Sequence, residues 1–182
     1  MAGRLSGVGL MVMVALIIAI LVLPLGCDSP NPSGTEAPDF TLPTLTGDNI
    51  TLSEQKGTPV VLNFWSISCF YCRQQLPYLE NVARQTGGEI KVIAVNIVDN
   101  ATAVQAFFGD YEPAMVVALD DNREIFVGYC QSLDNSRGYI PFTLLVDTQG
   151  MVQYKKIGAF SSEEELWNTL HDVFGITIPE TS

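Results

Sequence analysis

Two cysteines separated by two residues, in Cys69-Phe70-Tyr71-Cys72, are the side chains whose type and spacing point most directly to chemistry. Thiols this close together can form a disulfide, and a thiolate can attack the disulfide of another protein. Cys69 is predicted to attack the partner disulfide, and Cys72 is predicted to release the product from the mixed disulfide. The pair therefore predicts thiol–disulfide exchange through a redox-active disulfide, without a metal or an organic cofactor.

The position of this pair between two predicted elements supports the same chemistry. Residues 59–65 and 90–96 are apolar runs that predict buried strands, and residues 70–86 have the apolar spacing of a helix. A strand, a helix and a second strand at this spacing form a βαβ unit with parallel strands. Cys69 then lies at the helix N-terminus, where unpaired backbone N–H groups and the helix dipole stabilise a thiolate.

A metal site, a structural disulfide and two buried thiols are the other interpretations of the pair. Zinc would need two further ligands, and Cys130 and His171 do not form a second close pair. A disulfide across so short a gap closes a very small loop and adds little stability. Cys130 itself is expected to be a buried free thiol, with a third redox thiol near the pair as the alternative.

The remaining segments predict an α/β domain. The further strands are two short ones within residues 37–52 and three at residues 114–119, 142–146 and 152–157. The further helices are at residues 101–108, 122–129 and 162–174, and the last begins with a capping box formed by Ser162 and Glu165. We therefore predict a central mixed β-sheet with helices on both faces.

The segment around the cysteine pair, Val60-Val-Leu-Asn-Phe-Trp-Ser-Ile-Ser-Cys-Phe-Tyr-Cys-Arg-Gln-Gln-Leu-Pro77, resembles the active-site region of TlpA/ResA-like thioredoxins. Ala37-Pro-Asp-Phe40 resembles their N-terminal strand, and Tyr139-Ile-Pro-Phe-Thr-Leu-Leu-Val-Asp147 resembles the segment that holds their cis-proline. The resemblance covers nearly the whole body of the chain. It implies a thioredoxin-like fold and a membrane-anchored thiol–disulfide oxidoreductase of the redoxin superfamily.

The resemblance also assigns roles to residues outside the cysteine pair. Pro141 would be the cis-proline, and the backbone of Ile140 would pair with an extended substrate segment beside the sulfurs. An ordinary trans proline that opens an edge strand is the alternative for Pro141. Trp65 stands where this family keeps an aromatic residue near the active site, so it is a candidate for substrate binding as well as for the core.

The chain lacks both acids that usually take the proton from the second cysteine in such proteins. Gln75 stands at a position that is often glutamate in the family, and Asn63 replaces the buried acid of thioredoxins proper. Asp99, after the second predicted strand, is a candidate substitute, with a solvated loop residue as the alternative. Arg73, next to Cys72, is a candidate for tuning the thiolate, with a solvated helix residue as the alternative.

The resemblance favours reduction of protein disulfides over their formation, for example in cytochrome c maturation. Phe70 and Tyr71 offer no cation that would hold the thiolate, which argues against a strongly oxidising pair. The expected partners are extracytoplasmic protein thiols and disulfides, together with a membrane redox protein that supplies electrons.

Other functions remain open for this pattern. A peroxiredoxin-like thiol peroxidase would suit the Ala37-Pro-Asp-Phe40 opening, but Ser66 stands where its threonine should be. A copper carrier of the same fold usually needs a wider cysteine gap and a histidine near the site, whereas His171 lies far along the chain from Cys72. A thioredoxin-fold adaptor without turnover is the remaining alternative.

Residues 1–27 predict targeting to the outer side of the bacterial cytoplasmic membrane. Arg4 is followed by an apolar run from Leu10 to Leu25, which is shorter than the roughly 20 residues of a membrane-spanning helix and typical of a signal peptide. Cys27 follows a small residue and resembles the cleavage and lipidation site of a bacterial lipoprotein. An uncleaved signal anchor is the alternative, and both place the body of the chain on the same side of the membrane.

The rest of the chain divides into three parts. Residues 28–36 are expected to be a flexible linker, residues 37–176 the thioredoxin-like domain and residues 177–182 a C-terminal tail. A domain of roughly 140 residues can bury a core without disulfide staples.

All 20 acidic residues follow Cys27, and the net charge of −11 argues against binding to nucleic acid or anionic lipid.

Overall fold

The computed structural model describes residues 34–176. The predictions for residues 1–33, including the targeting segment and lipidation at Cys27, lie outside the described residues, as does the tail at residues 177–182. Among residues 34–176, no helix combines the length and the apolar character that crossing a membrane requires.

The centre of the domain is a six-stranded mixed sheet. The strands in chain order are β1 Thr35–Glu36, β2 Thr41–Pro43, β3 Asn49–Thr51, β4 Val60–Trp65, β5 Lys91–Asn96, β6 Val116–Leu119, β7 Phe142–Val146 and β8 Met151–Ile157. The sheet has the order β1-β8-β7-β4-β5-β6, and β2 and β3 form a separate hairpin. The strands β4, β5 and β6 are parallel, whereas β7 runs antiparallel to β4 and to β8.

Helices cover both faces of this sheet. They are α1 Phe70–Thr86, α2 Ala101–Phe108, α3 Glu124–Ser132 and α4 Glu163–Phe174. Successive side chains of β4 point to opposite faces. Val61 and Trp65 join the core that includes α1, α2 and α4, and Leu62 and Phe64 join the core that includes α3 and the hairpin. The predicted thioredoxin-like fold, with a mixed sheet between helices, is confirmed.

The predicted βαβ unit is formed by β4, α1 and β5. Every residue of β4 is buried, which accounts for its uninterrupted run of mostly apolar residues. The helix α1 ends at Thr86, and its C-cap is Gly87, whose φ of 56° lies in the left-handed region that favours glycine. Because β4 ends at Trp65 and α1 begins at Phe70, residues 66–69 form a short turn at the C-terminal end of β4, and this turn carries the first cysteine.

The first strand corrects the predicted boundary of the linker. Thr35 and Glu36 were expected in the flexible segment, but they form β1, which pairs with Val152 and Met151 of β8. Both side chains of β1 are exposed, so the strand depends on backbone hydrogen bonds. It therefore has no apolar pattern by which the sequence could reveal it.

The helix α3 also differs from its predicted range of residues 122–129. It begins later, at Glu124, and ends at Ser132. The buried Asp120 carboxylate accepts hydrogen bonds from the N–H groups of Ile125 and Phe126 at 3.2 and 2.8 Å. These bonds satisfy donors in the first turn of the helix and fix where the helix starts.

Candidate active site

Cys69 and Cys72 form a disulfide at the N-terminus of α1. Their Cα atoms lie 5.3 Å apart, and the Sγ of Cys69, the N-cap residue, accepts a hydrogen bond from the Cys72 N–H at 3.1 Å. Cys69 is half-buried, whereas Cys72 is only 1% exposed. A partner can thus reach the Cys69 sulfur, and the N–H group that points at this sulfur would stabilise a thiolate there.

The loop that ends in Ile140 and Pro141 lies next to this sulfur. The Ile140–Pro141 peptide bond is cis, as the family resemblance implied. The carbonyl oxygen of Ile140 is 3.8 Å from the Sγ of Cys69, although 71 residues separate them along the chain. The fold therefore brings both residues to the disulfide, while their role in substrate binding stays a prediction.

The turn before Cys69 is held by two charged side chains. The Ile67 N–H donates to Oδ2 of Asp99 at 2.9 Å, and the Ile67 carbonyl accepts from Nη1 of Arg73 at 3.1 Å. Oδ2 of Asp99 also accepts from Nδ2 of Asn96 at 2.9 Å. Asp99 and Arg73, both of which were candidates for tuning the thiols, are thus bonded to the backbone that precedes Cys69.

A buried network of uncharged side chains joins α1 to the sheet, one helical turn along from Cys72. Nε2 of Gln75 and Nδ2 of Asn63 both donate to Oγ1 of Thr143, at 3.1 and 2.9 Å. Oε1 of Gln75 accepts from the Phe160 N–H at 2.9 Å. These three side chains are at most 1% exposed. The two positions at which such proteins usually carry acids therefore hold amides, and both amides are hydrogen-bonded.

Exposed aromatic side chains lie beside the disulfide. Phe70 and Tyr71, between the two cysteines, are 57% and 64% exposed, and Tyr139, next to Ile140, is 52% exposed. The rings of Phe70 and Tyr71 contact each other edge to face, with 5.5 Å between their centroids. Phe70 and Tyr71 thus form an exposed apolar surface next to the disulfide, which is open to a partner.

The family model described as Redoxin matches residues 32–170. This range includes the disulfide, the cis-proline and every strand described above. The chain belongs to the redoxin family.

Relatives of this redoxin include two proteins of Bacillus subtilis (strain 168). The thioredoxin-like protein YneN is 32% identical over 134 residues, which are 72% of this chain and 75% of YneN. The thiol-disulfide oxidoreductase ResA is 30% identical over 151 residues, which are 82% of this chain and 78% of ResA. The crystal structure of a thiol:disulfide interchange protein, DsbE, from Chlorobium tepidum has a TM-score of 0.66 at 27% identity and covers 77% of this chain and 96% of its own.

These comparisons and the geometry of the site agree on the class of enzyme. This redoxin has a disulfide at a helix N-terminus beside a cis-proline, and its relatives include thiol–disulfide oxidoreductases. This redoxin is a thiol–disulfide oxidoreductase with Cys69 and Cys72 as its redox pair. The predicted family and enzyme class are confirmed.

The structure corrects the prediction that Trp65 contributes to substrate binding. Its side chain is 0% exposed and packs against Phe107 and Phe108, with ring centroids at 5.5 and 6.0 Å. Trp65 is the last residue of β4 and belongs to the core that includes α1. A ring that is enclosed on all sides offers no surface to a substrate, so Trp65 is a core residue of this redoxin.

Cys130 lies on α3, in the core on the opposite face of the sheet from Cys72. It is 7% exposed and forms no disulfide with any residue in the range 34–176. Burial raises the pKa of the Cys130 thiol, which disfavours the reactive thiolate. This position favours a buried free thiol over a third redox thiol near the pair.

Thr143 and Ile67 are site residues that were not predicted from the sequence. Thr143 is a polar residue inside an apolar strand and lies directly opposite Asn63 in the β4–β7 ladder. A polar side chain in a fully buried strand needs a partner, so its presence was a usable signal. Ile67 offered no such signal, because only its backbone takes part.

Proposed function

We propose that this redoxin is a membrane-tethered, extracytoplasmic reductase of protein disulfides in which Cys69 is the attacking sulfur. The assignment of roles rests on one observation: Cys69 is half-buried at the helix N-cap, whereas Cys72 is almost fully enclosed. The apolar run before Cys27 supports the location.

The proposed reaction has two exchange steps. The Cys69 thiolate attacks one sulfur of a substrate disulfide, the substrate S–S bond breaks, and the other substrate sulfur leaves as a thiolate. The Cys72 thiolate then attacks the Cys69 sulfur, the mixed disulfide breaks, and the second substrate thiolate leaves. The substrate gains two electrons and the cysteine pair loses them. A membrane redox partner returns the electrons by reducing the Cys69–Cys72 disulfide.

The surface beside the sulfur favours an extended substrate segment. The Ile140 carbonyl, 3.8 Å from Sγ of Cys69, is placed to accept a hydrogen bond from a substrate backbone N–H in the manner of a strand. The exposed rings of Phe70, Tyr71 and Tyr139 would contact apolar residues near the substrate cysteine. Apocytochrome c, by the family resemblance, is the substrate that we propose to test first.

Alkylation of the fully reduced protein tests the assignment of roles. With limiting iodoacetamide near neutral pH, Cys69 should be modified before Cys72, as peptide mass spectrometry would show. Earlier modification of Cys72 would make the assignment wrong.

Insulin reduction, measured beside peroxide consumption and copper binding, separates the reductase from a peroxidase, a copper carrier and an inactive adaptor.

Mass spectrometry of the mature protein from a bacterial membrane tests the tether. We expect an N-terminal, lipid-modified Cys27. A retained Met1 together with an unmodified Cys27 would replace the lipid by an uncleaved signal anchor and would leave the enzyme activity as proposed.

A further inference from the structure

We propose that Asp99 is a positioning residue of this enzyme, because it holds, together with Arg73, the turn that presents Cys69. This inference rests on the proposed role of Cys69 as the attacking sulfur. The two charged side chains bond to opposite sides of Ile67, which lies two residues before Cys69.

The hydrogen bond from Ile67 to Asp99 continues the sheet beyond its last backbone pair. Trp65 pairs with Asn96 in the parallel ladder, and the Trp65 carbonyl accepts from the Ile97 N–H at 3.0 Å. The next donor on this side of the chain, the Ile67 N–H, bonds to the Asp99 carboxylate at 2.9 Å. Asp99 thus takes the place of a backbone acceptor and joins the two segments where the strands have ended.

Asn96 fixes the Asp99 carboxylate in the orientation that this bond needs. Asn96 is 0% exposed, and its Nδ2 donates to Oδ2 of Asp99 at 2.9 Å. Its Oδ1 accepts from the Asp99 N–H at 2.8 Å. The acceptor for Ile67 is therefore held at its side chain and at its backbone, and a carboxylate makes stronger hydrogen bonds than a neutral acceptor.

Arg73 holds the same turn from the helix. Its Nη1 donates to the Ile67 carbonyl at 3.1 Å, and its backbone N–H donates to the Cys69 carbonyl at 3.2 Å. Ile67 is thus bonded through its N–H to the loop after β5 and through its carbonyl to the first turn of α1. Rotation of this part of the chain would break at least one of these bonds.

The orientation of the Cys69 sulfur depends on this turn. The Cys69 N–H donates to the Ser66 carbonyl at 3.2 Å, and Sγ accepts from the Cys72 N–H while the Cys69 backbone is extended. A looser turn would weaken the bond to Sγ and disfavour the thiolate. The negative charge of Asp99 acts in the opposite direction, because a nearby carboxylate also disfavours a thiolate. If Asp99 acts mainly by positioning the turn, its removal should lower the thiolate fraction of Cys69. If it acts mainly through its charge, its removal should raise that fraction.

The rate of Cys69 alkylation, measured against pH in the reduced full-length protein, reports the thiolate fraction of Cys69. We expect Asp99→Ala to raise the pH at which this rate is half its maximum by about half a unit, which is about a threefold loss of thiolate below that pH. Asp99→Asn keeps an acceptor oxygen without the charge, so its midpoint should be unchanged or lower. Asp110→Ala, which removes an exposed carboxylate two residues after α2, is the matched control. Arg73, the cation that bonds to the same turn, is retained in all three variants.

A midpoint that falls or stays constant in Asp99→Ala would overturn the positioning role. Arg73→Met provides a second test at an exposed position. It should speed hydrogen exchange of the Ile67 amide severalfold, whereas loss of charge alone would not, and unchanged exchange also overturns the proposal. Neither measurement involves a partner protein, so failure here leaves the proposed substrate and location intact. Faster alkylation of Cys72 than of Cys69 would instead refute the role on which this inference rests.

Discussion

The solvent side and the core side of the disulfide are held in place by different kinds of side chain. On the solvent side, the charged groups of Asp99 and Arg73 bond to the turn before Cys69. Arg73 is exposed and Asp99 is half-buried, so both charged groups keep contact with water. A charge in such a place loses little hydration, and it can hold the backbone through strong hydrogen bonds.

On the core side, α1 is joined to the sheet by Gln75, Thr143 and Asn63, which are almost fully enclosed. A charged group here would lose its hydration, whereas amide and hydroxyl groups are stable when they are hydrogen-bonded. The enzyme thus places charge where the sulfur meets its partner and neutral polar groups beside the enclosed Cys72. A consequence is that this network contains no ionisable group that could accept the Cys72 proton.

The largest effect is expected when each sulfur is removed in turn. Cys69→Ser should abolish insulin reduction, because the accessible nucleophile is lost. Cys72→Ser should also stop turnover, but it should accumulate mixed disulfides on Cys69, since the first attack remains possible. Non-reducing gels and mass spectrometry of the trapped partners measure the difference. Equal trapping by the two variants would show that the two sulfurs are equally able to attack a substrate.

A smaller effect, on stability, is expected when the neutral network is opened. Gln75→Leu leaves the buried Phe160 N–H without its acceptor, which should lower the free energy of unfolding by about 1–3 kcal/mol. Gln74→Leu, at an exposed position of the same helix, should change it by less than about 0.5 kcal/mol. Urea unfolding of the oxidised proteins gives both values. Similar changes in the two variants would mean that the network does not stabilise the core side.

The sequence predicted those parts of the site that depend on local patterns. The apolar run of β4 and the helical spacing of α1 placed Cys69 at a strand-to-helix turn, as observed. Ile140 and Pro141 could be placed beside it only through the family resemblance, because 71 residues separate Cys69 from Ile140. Local periodicity carries no information about which distant segments meet.

The parts that the sequence did not predict depend on distant contacts or on backbone alone. Gln75 bonds to Thr143 and Phe160, which follow it by 68 and 85 residues. The strand β1 has exposed side chains, so only its backbone pairing defines it. Trp65 ends a strand that is buried on both faces, where the alternation of polar and apolar residues is lost, and its enclosed position could not be distinguished from a place at the active site.

The smallest effect is expected when the missing carboxylate is restored by Gln75→Glu. One carboxylate oxygen could still accept from the Phe160 N–H, and the Thr143 hydroxyl could rotate to donate to the other while it accepts from Asn63. The network would therefore stay closed, with an ionisable group one helical turn from Cys72. Cys72 must lose its proton before it can attack the mixed disulfide, because only the thiolate is an efficient nucleophile.

We expect Gln75→Glu to speed decay of the mixed disulfide a few-fold near neutral pH and to flatten its rise toward alkaline pH. The gain is small because the new charge also disfavours a thiolate beside it. Burial should raise the pKa of the new carboxyl above its ordinary value of about 4.3, so the folded state binds this proton more tightly than the unfolded state. The free energy of unfolding of Gln75→Glu should then fall as pH rises from the pKa of this carboxyl in the unfolded state to its pKa in the folded state.

Stopped-flow decay of the mixed disulfide against pH checks the kinetic effect, and urea unfolding across the same range checks the effect on stability. Gln74→Glu adds the same charge at an exposed position of α1 and controls for charge alone. If the decay profiles of the wild type and Gln75→Glu coincide, Gln75 is a spectator in proton transfer. The proton of Cys72 then leaves to solvent or to Asp99, and the contrast between the two sides of the disulfide concerns stability rather than rate.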